Sequence, residues 1–338
     1  MTEAAPPQLP ALARDRALAL VGAASGVHVV VVGDVMLDHF MVGRVSRVSP
    51  EAPVPVLEFE REFSVPGGAA NVACNARALG ATVSLVGVIG DDTAAADLRG
   101  LLEGRGIAAS RLIVDAARPT TRKTRLATTR NQQVARVDVE SAADLGAAVA
   151  TAVADAVEDA AATAGVVVVS DYLKGVVTTG VMARVVAAAH ARGVPLLVDP
   201  KVPHVGRYAG ATLLTPNHHE AEAATGQHIR TVADVRVAAR RLAEQARVDG
   251  VLVTWGEQGM WLAHGAVEGH LPATAREVAD VTGAGDTVVA VFGAMLAAGA
   301  SSAEAARLAN EAAGVAVTRF GTAAVTADDL RQRLAASG

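Results

Sequence analysis

Short runs of β-branched residues without charges recur along the chain, and Ala-rich segments of helical length separate most of them. Runs of this kind indicate strands buried on both faces, as in a parallel sheet. We predict strands at residues 27–33, 83–89, 166–170, 195–199, 211–215 and 251–255, and helices at residues 142–162 and 231–246. The alternation predicts an α/β fold with a doubly wound, mostly parallel sheet and helices on both faces. Because ligands of such sheets bind beyond the carboxyl ends of the strands, Asp34, Asp171 and Asp199 mark the edge to search.

Composition limits the partners that such a fold can have. Hydrophobic residues make up 51% of the 338 positions, and every apolar stretch is interrupted before the length that a bilayer span needs. The amino end lacks the pattern of a secretory signal, and a single cysteine, Cys74, fits a reducing cytoplasm. A net charge of −5 argues against a nucleic-acid surface. We therefore expect a cytoplasmic protein with a small-molecule partner, and neither nucleic acid nor a membrane.

Two segments depart from the strand–helix alternation. Residues 36–65 and about 118–139 alternate apolar and polar positions, which indicates antiparallel strands. Because Asn131-Gln132 lies between two alternating runs, the second segment is expected to form a hairpin. Together they predict a small antiparallel β lid, whose exposed edges favour a homodimer formed through the lid. Residues 1–14, with three prolines, are expected to be a mobile tail, and residues 15–338 a single domain.

The strongest local motif is DVTGAGD at residues 280–286, which opens an apolar segment of helical length. A Gly-rich turn at a helix start exposes backbone N–H groups that favour an anion such as phosphate. Asp286 lies beside that anion site, where a carboxylate is suited to taking a proton from an attacking hydroxyl. The alternative is a glycine turn followed by an Asp that only suits the helix dipole.

Three further motifs place glycines or polar caps at strand ends. PGGAAN at residues 66–71 allows a ligand close to the backbone and offers Asn71 to sugar hydroxyls. TPNHHE at residues 215–220 offers Glu220 to a magnesium-bound phosphate, although Asn217 could be only a helix cap. TWGEQG at residues 254–259 is compatible with an ordinary hairpin turn.

These four motifs, in this order, resemble the ribokinase-like, or PfkB, carbohydrate kinases over residues 27 to about 325. The resemblance implies ATP as co-substrate, Mg²⁺, Asp286 as base, and an anion hole formed by Gly283, Ala284, Gly285 and the Asp286 amide. It implies sugar contacts from Asp34, Gly67, Gly68 and Asn71. It implies nucleotide contacts from Asn217, Glu220, Thr254, Gly256, Gly259 and Asn310, with Glu220 near Mg²⁺, directly or through water. Asp280 matches a position that helps to bind a monovalent cation, such as K⁺, in some relatives.

Several segments, among them SRVSPEAPVPV, TRNQQVARVD and SDYLKG, resemble one particular kind of kinase within the family. This narrower resemblance implies a kinase that phosphorylates O1 of D-glycero-β-D-manno-heptose 7-phosphate, a step in ADP-heptose and lipopolysaccharide inner-core synthesis. A phosphorylated sugar needs a cationic site apart from ATP, for which we expect Arg122, Arg136 and Lys174. The given sequence ends at Gly338, and His204-Val-Gly-Arg207 lacks the second His of the nucleotidyltransferase H-x-G-H motif, so we expect the kinase without a nucleotidyltransferase.

Other functions fit the sequence less well. A different sugar kinase of the same family would share the catalytic motifs but not the lid sequence. A nicotinamide-dependent dehydrogenase would need G-x-G-x-x-G after the first strand, and this chain has none there. A sugar sensor without catalysis would be expected to have lost Asp286 or the glycines beside it, and all are present. The histidines lack the spacing of a zinc site.

Overall fold

The main sheet has nine strands, seen in a computed structural model that describes residues 7–275 and 277–336. Its strands are β1 (His28–Gly33), β4 (Thr82–Ile89), β5 (Leu112–Val114), β8 (Val166–Ser170), β9 (Leu196–Asp199), β10 (Leu213–Leu214), β11 (Gly250–Thr254), β12 (Met260–His264) and β13 (Val267–Leu271). Their order is β13-β12-β11-β10-β9-β8-β1-β4-β5, and only β12 and β13 pair antiparallel to their neighbours. All six predicted strands are present, so the predicted α/β class is confirmed.

Helices cover both faces of this sheet. They are α1 (Arg14–Ala23), α2 (Ala69–Ala78), α3 (Thr93–Glu103), α4 (Ala147–Ala161), α5 (Thr179–Arg192), α6 (His218–Thr225), α7 (Val232–Ala246), α8 (Ala284–Ala297), α9 (Ser302–Ala316) and α10 (Ala327–Ala336). Side chains of β1 alternate between two cores, with Val29 and Val31 in one and Val30 and Val32 in the other. This alternation explains why the strand needs an unbroken apolar run. No helix in the described ranges is long and apolar enough to cross a membrane.

A second sheet of four strands forms the predicted lid. Its strands are β2 (Val35–Val48), β3 (Pro55–Gly68), β6 (Arg122–Thr128) and β7 (Gln133–Val139), in the order β3-β2-β6-β7. The predicted hairpin joins β6 to β7, and Asn131 takes a positive φ of 61° in its turn. The sequence did not predict that β2 and β6, which join the two hairpins, pair in parallel. Only one residue, Asp34, separates β1 from β2, so the lid continues directly from the main sheet.

The amino-terminal segment is attached to the sheet edge over most of its described part. The carbonyl of Pro7 accepts a hydrogen bond from the His270 N–H at 2.9 Å, and the Leu9 side chain is 3% exposed. Arg307 donates to the carbonyls of Leu9 and Pro10. Met1–Pro6 lie outside the described residues. The predicted tail boundary at residue 14 is therefore too late, because prolines still offer carbonyls to an edge strand.

Candidate active site

Asp286 is buried at the start of α8, and both of its carboxylate oxygens are hydrogen-bonded. Asn71 Nδ2 donates to Oδ2 at 2.7 Å, and the Tyr172 hydroxyl donates to Oδ1 at 2.8 Å. Burial raises the pKa of Asp286 to about 6; the charge of Asp38 acts in the same direction, whereas the two hydrogen bonds hold the pKa lower. A carboxylate with this pKa is ionised at neutral pH and remains basic enough to accept a proton.

The turn before α8 brings backbone N–H groups to the same place. Gly283 has a φ of 77°, and a Cβ there would lie 2.8 Å from Asn71 Nδ2, so only glycine fits. The Ala284 N–H donates to the Val281 carbonyl at 3.2 Å. Within the described chain, the N–H groups of Gly285 and Asp286 have no partner, as expected in a first helical turn. The N–H groups of Gly285 and Asp286 are therefore available to the predicted anion hole, whereas that of Ala284 is already engaged.

Asp34 has a different environment from the one we expected. Its carboxylate is 1% exposed and accepts three backbone N–H groups, from Tyr172 at 2.7 Å, Lys174 at 3.0 Å and Val176 at 3.1 Å. It therefore shapes the loop after β8, and its contact to sugar hydroxyls remains a prediction. The loop in turn carries the Tyr172 hydroxyl to Asp286.

Asp171 fixes the same loop from its other side. Its Oδ1 accepts the Leu173 N–H at 2.8 Å, and Leu173 has a positive φ of 58°. Its Oδ2 contacts His204 Nδ1 at 2.6 Å and accepts the Tyr208 hydroxyl at 2.8 Å. Of the three predicted strand-end carboxylates, two thus hold the backbone around the site rather than face a ligand.

The lid contributes Asp38, which the sequence analysis did not single out. Asp38 is 4% exposed and forms an ion pair with Arg125 across the lid sheet. A Cβ at Gly67 would overlap its carboxylate, and Gly68 has a φ of 56° at the start of α2. Both predicted glycines therefore have a structural reason to be glycine. They let β3 pass close to Asp38 and bring α2, with Asn71, to the base.

An apolar cavity of about 250 Å³ lies beside Asn71 beneath the lid. Phe40 stacks on Phe63 at 4.9 Å between ring centroids and meets Phe320 edge-on at 6.3 Å. These rings form the wall between the lid and the segment before α10. The cavity gives the lid side of the site a surface suited to the apolar face of a sugar ring.

A second cavity, of about 180 Å³, contains Asp286 together with Asp199, Lys201 and Glu220. Burial raises the pKa of Asp199 to about 8, and the nearby charge of Asp286 adds to the rise. Burial alone would lower the pKa of Lys201, but Asp199 and Glu220 raise it. Lys201 forms an ion pair with Glu220 and lies 5.3 Å from the centre of the Tyr172 ring. This cavity has the mixed charges that a transferring phosphoryl group and its metal ion require.

A third cavity, of about 760 Å³, opens next to the second and is large enough for a nucleotide. It is lined by five of the six predicted nucleotide residues: Asn217, Thr254, Gly256, Gly259 and Asn310. The sixth, Glu220, lies in the smaller cavity, and Asn217, Thr254 and Gly285 line both. The predicted nucleotide residues are thus brought together, and the start of α8 lines both cavities.

Asn217 and Glu220 also form the capping box of α6. The Asn217 side chain accepts the Glu220 N–H at 2.9 Å, and Glu220 Oε2 accepts the Asn217 N–H at 2.9 Å. The alternative that Asn217 is a cap is therefore correct, and the cap lines the cavities as well. TWGEQG likewise forms the tight connection between β11 and β12.

Asp280 ties the turn before α8 to the segment before α10. Its Oδ1 accepts the Thr282 N–H at 2.9 Å and hydroxyl at 2.7 Å, and its Oδ2 accepts the Gly321 N–H at 3.0 Å. No group of three or more His, Cys, Asp or Glu side chains able to hold a metal ion is found among residues 7–275 and 277–336.

The basic residues expected to hold the sugar phosphate are not all on one side of the lid. Arg122 lies opposite Leu37 in the β2–β6 pairing, whereas Lys123 lies opposite Asp38. Because neighbours along a strand point to opposite faces, Arg122 faces away from Asp38. Its role in holding the sugar phosphate remains a prediction.

Arg136 and Lys174 both have carboxylate partners. Arg136 is nearly half exposed and donates to both oxygens of Asp138 at 2.9 Å. Lys174 Nζ donates to Glu140 Oε1 at 2.8 Å and its side chain is 16% exposed. Of the two, only Lys174 belongs to the loop that carries the Tyr172 hydroxyl.

Sequence reasoning missed Tyr172, Lys201 and Asp38. Each had a local signal, since Tyr172 and Lys201 closely follow ends of predicted strands and Asp38 shares a lid strand with alternating polarity. Nothing in the sequence showed which of the many polar residues at strand ends would converge on Asp286.

Comparison with known proteins shows which family the chain belongs to. The sequence model for "pfkB family carbohydrate kinase" matches residues 27–329. Bifunctional protein HldE of Azorhizobium caulinodans is 50% identical over 309 residues, which cover 90% of this chain and 64% of that protein. Bifunctional protein HldE of Geobacter metallireducens is 45% identical over 305 residues, covering 90% and 62%. The chain thus spans a little under two thirds of the length of these curated relatives.

Solved structures with the same fold include two sugar kinases. Arabidopsis thaliana ribokinase complexed with ribose and ATP matches with a TM-score of 0.73 and 22% identity, covering 91% of this chain and 98% of that one. Escherichia coli phosphofructokinase-2 in complex with fructose-6-phosphate matches with a TM-score of 0.75 and 20% identity, covering 92% and 98%. At these identities the likeness concerns the fold, and the ribokinase-like architecture expected from the sequence is confirmed.

Proposed function

The chain belongs to the pfkB family of carbohydrate kinases, and from that premise we propose that it transfers the γ-phosphoryl group of ATP to O1 of D-glycero-β-D-manno-heptose 7-phosphate. The observation that carries the proposal is the position of Asp286. It is a buried, basic carboxylate at the start of α8, between the nucleotide-sized cavity and the lid. The SDYLKG, SRVSPEAPVPV and TRNQQVARVD segments support this acceptor over other sugars.

In the proposed reaction the Asp286 carboxylate accepts the proton of the sugar O1 hydroxyl as that oxygen attacks the γ-phosphorus. The bond between the γ-phosphorus and the β–γ bridging oxygen breaks, and ADP leaves with the negative charge on that oxygen. The free N–H groups of Gly285 and Asp286 stabilise the charge on the transferring group. Lys201, raised in pKa and therefore cationic, adds a positive charge to the same cavity. Asn71 and Tyr172 orient the base.

Mg²⁺ fits the small cavity as a partner of the ATP phosphates. The carboxylates of Asp199 and Glu220 line it, and both oxygens of Glu220 already have hydrogen-bond partners, so we propose contact through water. When bound, the ion would neutralise charge on the phosphates. A K⁺ ion near Asp280 remains a prediction. An ATP-dependent step agrees with the predicted cytoplasmic location.

The acceptor would lie under the lid, against Asn71 and the close-packed Gly67 and Gly68 backbone. Asp34 remains a proposed contact for the sugar hydroxyls, and Asp38, whose carboxylate lies against Gly67, is added as a second candidate. Closing the lid over the acceptor would exclude water and suppress ATP hydrolysis.

We also propose that the lid mediates a homodimer. Large apolar side chains are exposed on it, with Phe59 57%, Val48 64% and Val54 51% exposed. A second copy would cover them and the open strand edges.

The experiment that tests the function is a coupled ADP-release assay with ATP and Mg²⁺. Heptose 7-phosphate is compared with ribose, fructose 6-phosphate, adenosine and no acceptor, and Asp286→Asn is the inactive control. Turnover confined to heptose 7-phosphate supports the proposal. Turnover confined to another acceptor would show that the proposed substrate is wrong, while the proposed role of Asp286 as base would still stand. Absence of turnover with every acceptor, while ATP still binds, would favour a sensor.

A further inference from the structure

Three charged side chains form a compact cluster at the base of the lid. Glu140 follows the last lid strand, and its two oxygens lie between two lysines: Oε2 is 2.9 Å from Lys123 Nζ and Oε1 is 2.8 Å from Lys174 Nζ. The three side chains are only 14%, 27% and 16% exposed for Lys123, Glu140 and Lys174. Burial raises the pKa of Glu140, but the two lysines lower it further than burial raises it, so the carboxylate is ionised.

The cluster lies on the acceptor side of the site. Lys174 is two residues from Tyr172, whose hydroxyl contacts Asp286, and at most about 7 Å of extended chain separates their backbones. Both N–H groups are held by Asp34, so this spacing is fixed. Lys123 lies opposite Asp38 in the β2–β6 pairing and shares its face. None of the three residues lines the nucleotide cavity.

We propose that Lys123 and Lys174 bind the phosphate monoester of the acceptor and that Glu140 occupies this site until the phosphate displaces it. This inference rests on the proposed function. A carboxylate bridging two ammonium groups presents two oxygen acceptors and one negative charge, and a phosphate presents three oxygens and nearly two charges. The phosphate is therefore the stronger partner for the same two lysines.

Three other cations near the cluster are engaged with partners of their own. Arg125 is paired with Asp38, and Arg136 with Asp138. Arg118 donates to the backbone carbonyl of Lys174 at 2.9 Å, so it supports the loop rather than a ligand. Glu140 is the carboxylate that contacts both Lys123 and Lys174. Lys123 also donates to Asp138 Oδ2 at 3.0 Å, but Asp138 is shared with Arg136. Displacing Glu140 would therefore free Lys174 and leave Lys123 only its share of Asp138.

Glu140 would then act as a filter on acceptors. A neutral sugar offers nothing that separates Glu140 from the lysines, whereas a sugar phosphate does. Selectivity would come from competition between the Glu140 carboxylate and the sugar phosphate for one site, as well as from the attraction of the two lysines for the phosphate.

The test compares Glu140→Gln and Lys123→Met with the native protein by calorimetric titration, with a non-hydrolysable ATP analogue filling the nucleotide cavity. Glu158→Gln is the matched control, because Glu158 also pairs with a cation, Arg184 at 2.6 Å, on the remote α4–α5 surface. Heptose 7-phosphate and the unphosphorylated heptose are titrated into each protein. We expect E140Q to bind heptose 7-phosphate about three- to tenfold more tightly, with heptose affinity unchanged. We expect K123M to bind heptose 7-phosphate roughly tenfold more weakly.

Unchanged or weaker binding of heptose 7-phosphate by E140Q would overturn the inference, because Glu140 would then be a support for the lysines. If E140Q does not fold, K123M decides: an unchanged preference for heptose 7-phosphate over heptose overturns the inference. If the native protein does not bind heptose 7-phosphate, that sugar phosphate is not its acceptor and the proposed function is wrong. The anion site is then tested with inorganic phosphate on the nucleotide-filled protein, where tighter binding by E140Q supports it and equal binding refutes it.

Discussion

Replacing Asp286 by Asn should slow the kinase and stabilise the fold, and the stabilisation should grow with pH. The carboxylate is buried, and its pKa of about 6 lies above the ordinary 3.8. The folded protein therefore favours the protonated form. The contribution of Asp286 to stability is complete below pH 3.8 and is lost as pH rises through 6.

The size of the effect follows from these two pKa values. Relative to the protonated form, the raised pKa of Asp286 costs the folded state about 1.6 kcal/mol at pH 5 and about 3 kcal/mol at pH 8. D286N removes this cost at both pH values, and it also removes a charge that raises the pKa of Asp199. Against this, exchanging the protonated carboxyl for an amide changes the hydrogen bond with Asn71 by ~1–3 kcal/mol, and this difference does not vary with pH because it refers to the uncharged form. The gain of the variant over the native protein should therefore be larger at pH 8 than at pH 5 by about 1.4 kcal/mol or more.

Urea unfolding of both proteins at pH 5, 6, 7 and 8 measures the difference. Asp234→Asn is the control, since hydrogen bonds from Thr231 lower the pKa of that carboxylate and the substitution should destabilise the fold at every pH in this range. Turnover of D286N should fall by ~10²–10⁴. A difference in the free energy of unfolding that is constant or shrinks with rising pH would refute the assigned burial cost, and turnover near the native value would refute the role as base.

Three further outcomes are expected. Tyr172→Phe removes a donor that lowers the pKa of Asp286, so the acid limb of the kcat/KM profile should move up by about one pH unit, as pH titration of the rate would show. Gly283→Ala places a Cβ against Asn71 at a φ of 77° and should cost ~1–3 kcal/mol in urea unfolding. Phe59→Ser should weaken the proposed lid dimer, measured by sedimentation at several protein concentrations.

Each has a matched control. Tyr208→Phe removes a hydroxyl bonded to Asp171 and should leave the acid limb in place; an equal shift in both variants would contradict the Tyr172 assignment. Gly285→Ala enters open space and should not destabilise the fold. Val237→Ser lies on α7, away from the lid, and should leave the association state unchanged; a Phe59→Ser protein that associates as the native one does would remove the lid from the dimer.

The fold was predictable because burial on two faces imposes a pattern on consecutive residues. The strand at residues 27–33 must be apolar throughout, since Val29 and Val30 enter different cores. The lid was predictable from the opposite pattern, and its hairpin from Asn131. The turn that opens α8 was predictable because Gly283 needs a positive φ.

The partners of the base were not predictable, because they depend on contacts between distant segments. Asn71 and Tyr172 lie 215 and 114 positions from Asp286. Asp34 was assigned to the sugar from the family resemblance. The donors that it contacts in the structure are backbone N–H groups, which every residue type except proline carries, so the sequence does not reveal them.

The parallel pairing of β2 with β6 has a consequence for how the chain folds. Asp38 and Arg125, which meet across this pairing, are 87 positions apart, and α2, β4, α3 and β5 lie between them. On the ribosome, β2 and β3 can form their hairpin early, but the other edge of β2 stays unpaired until β6 is synthesised. The lid is then among the last parts to complete its pairing. A nascent chain that stalls before β6 would expose an open strand edge, where two growing copies could join incorrectly.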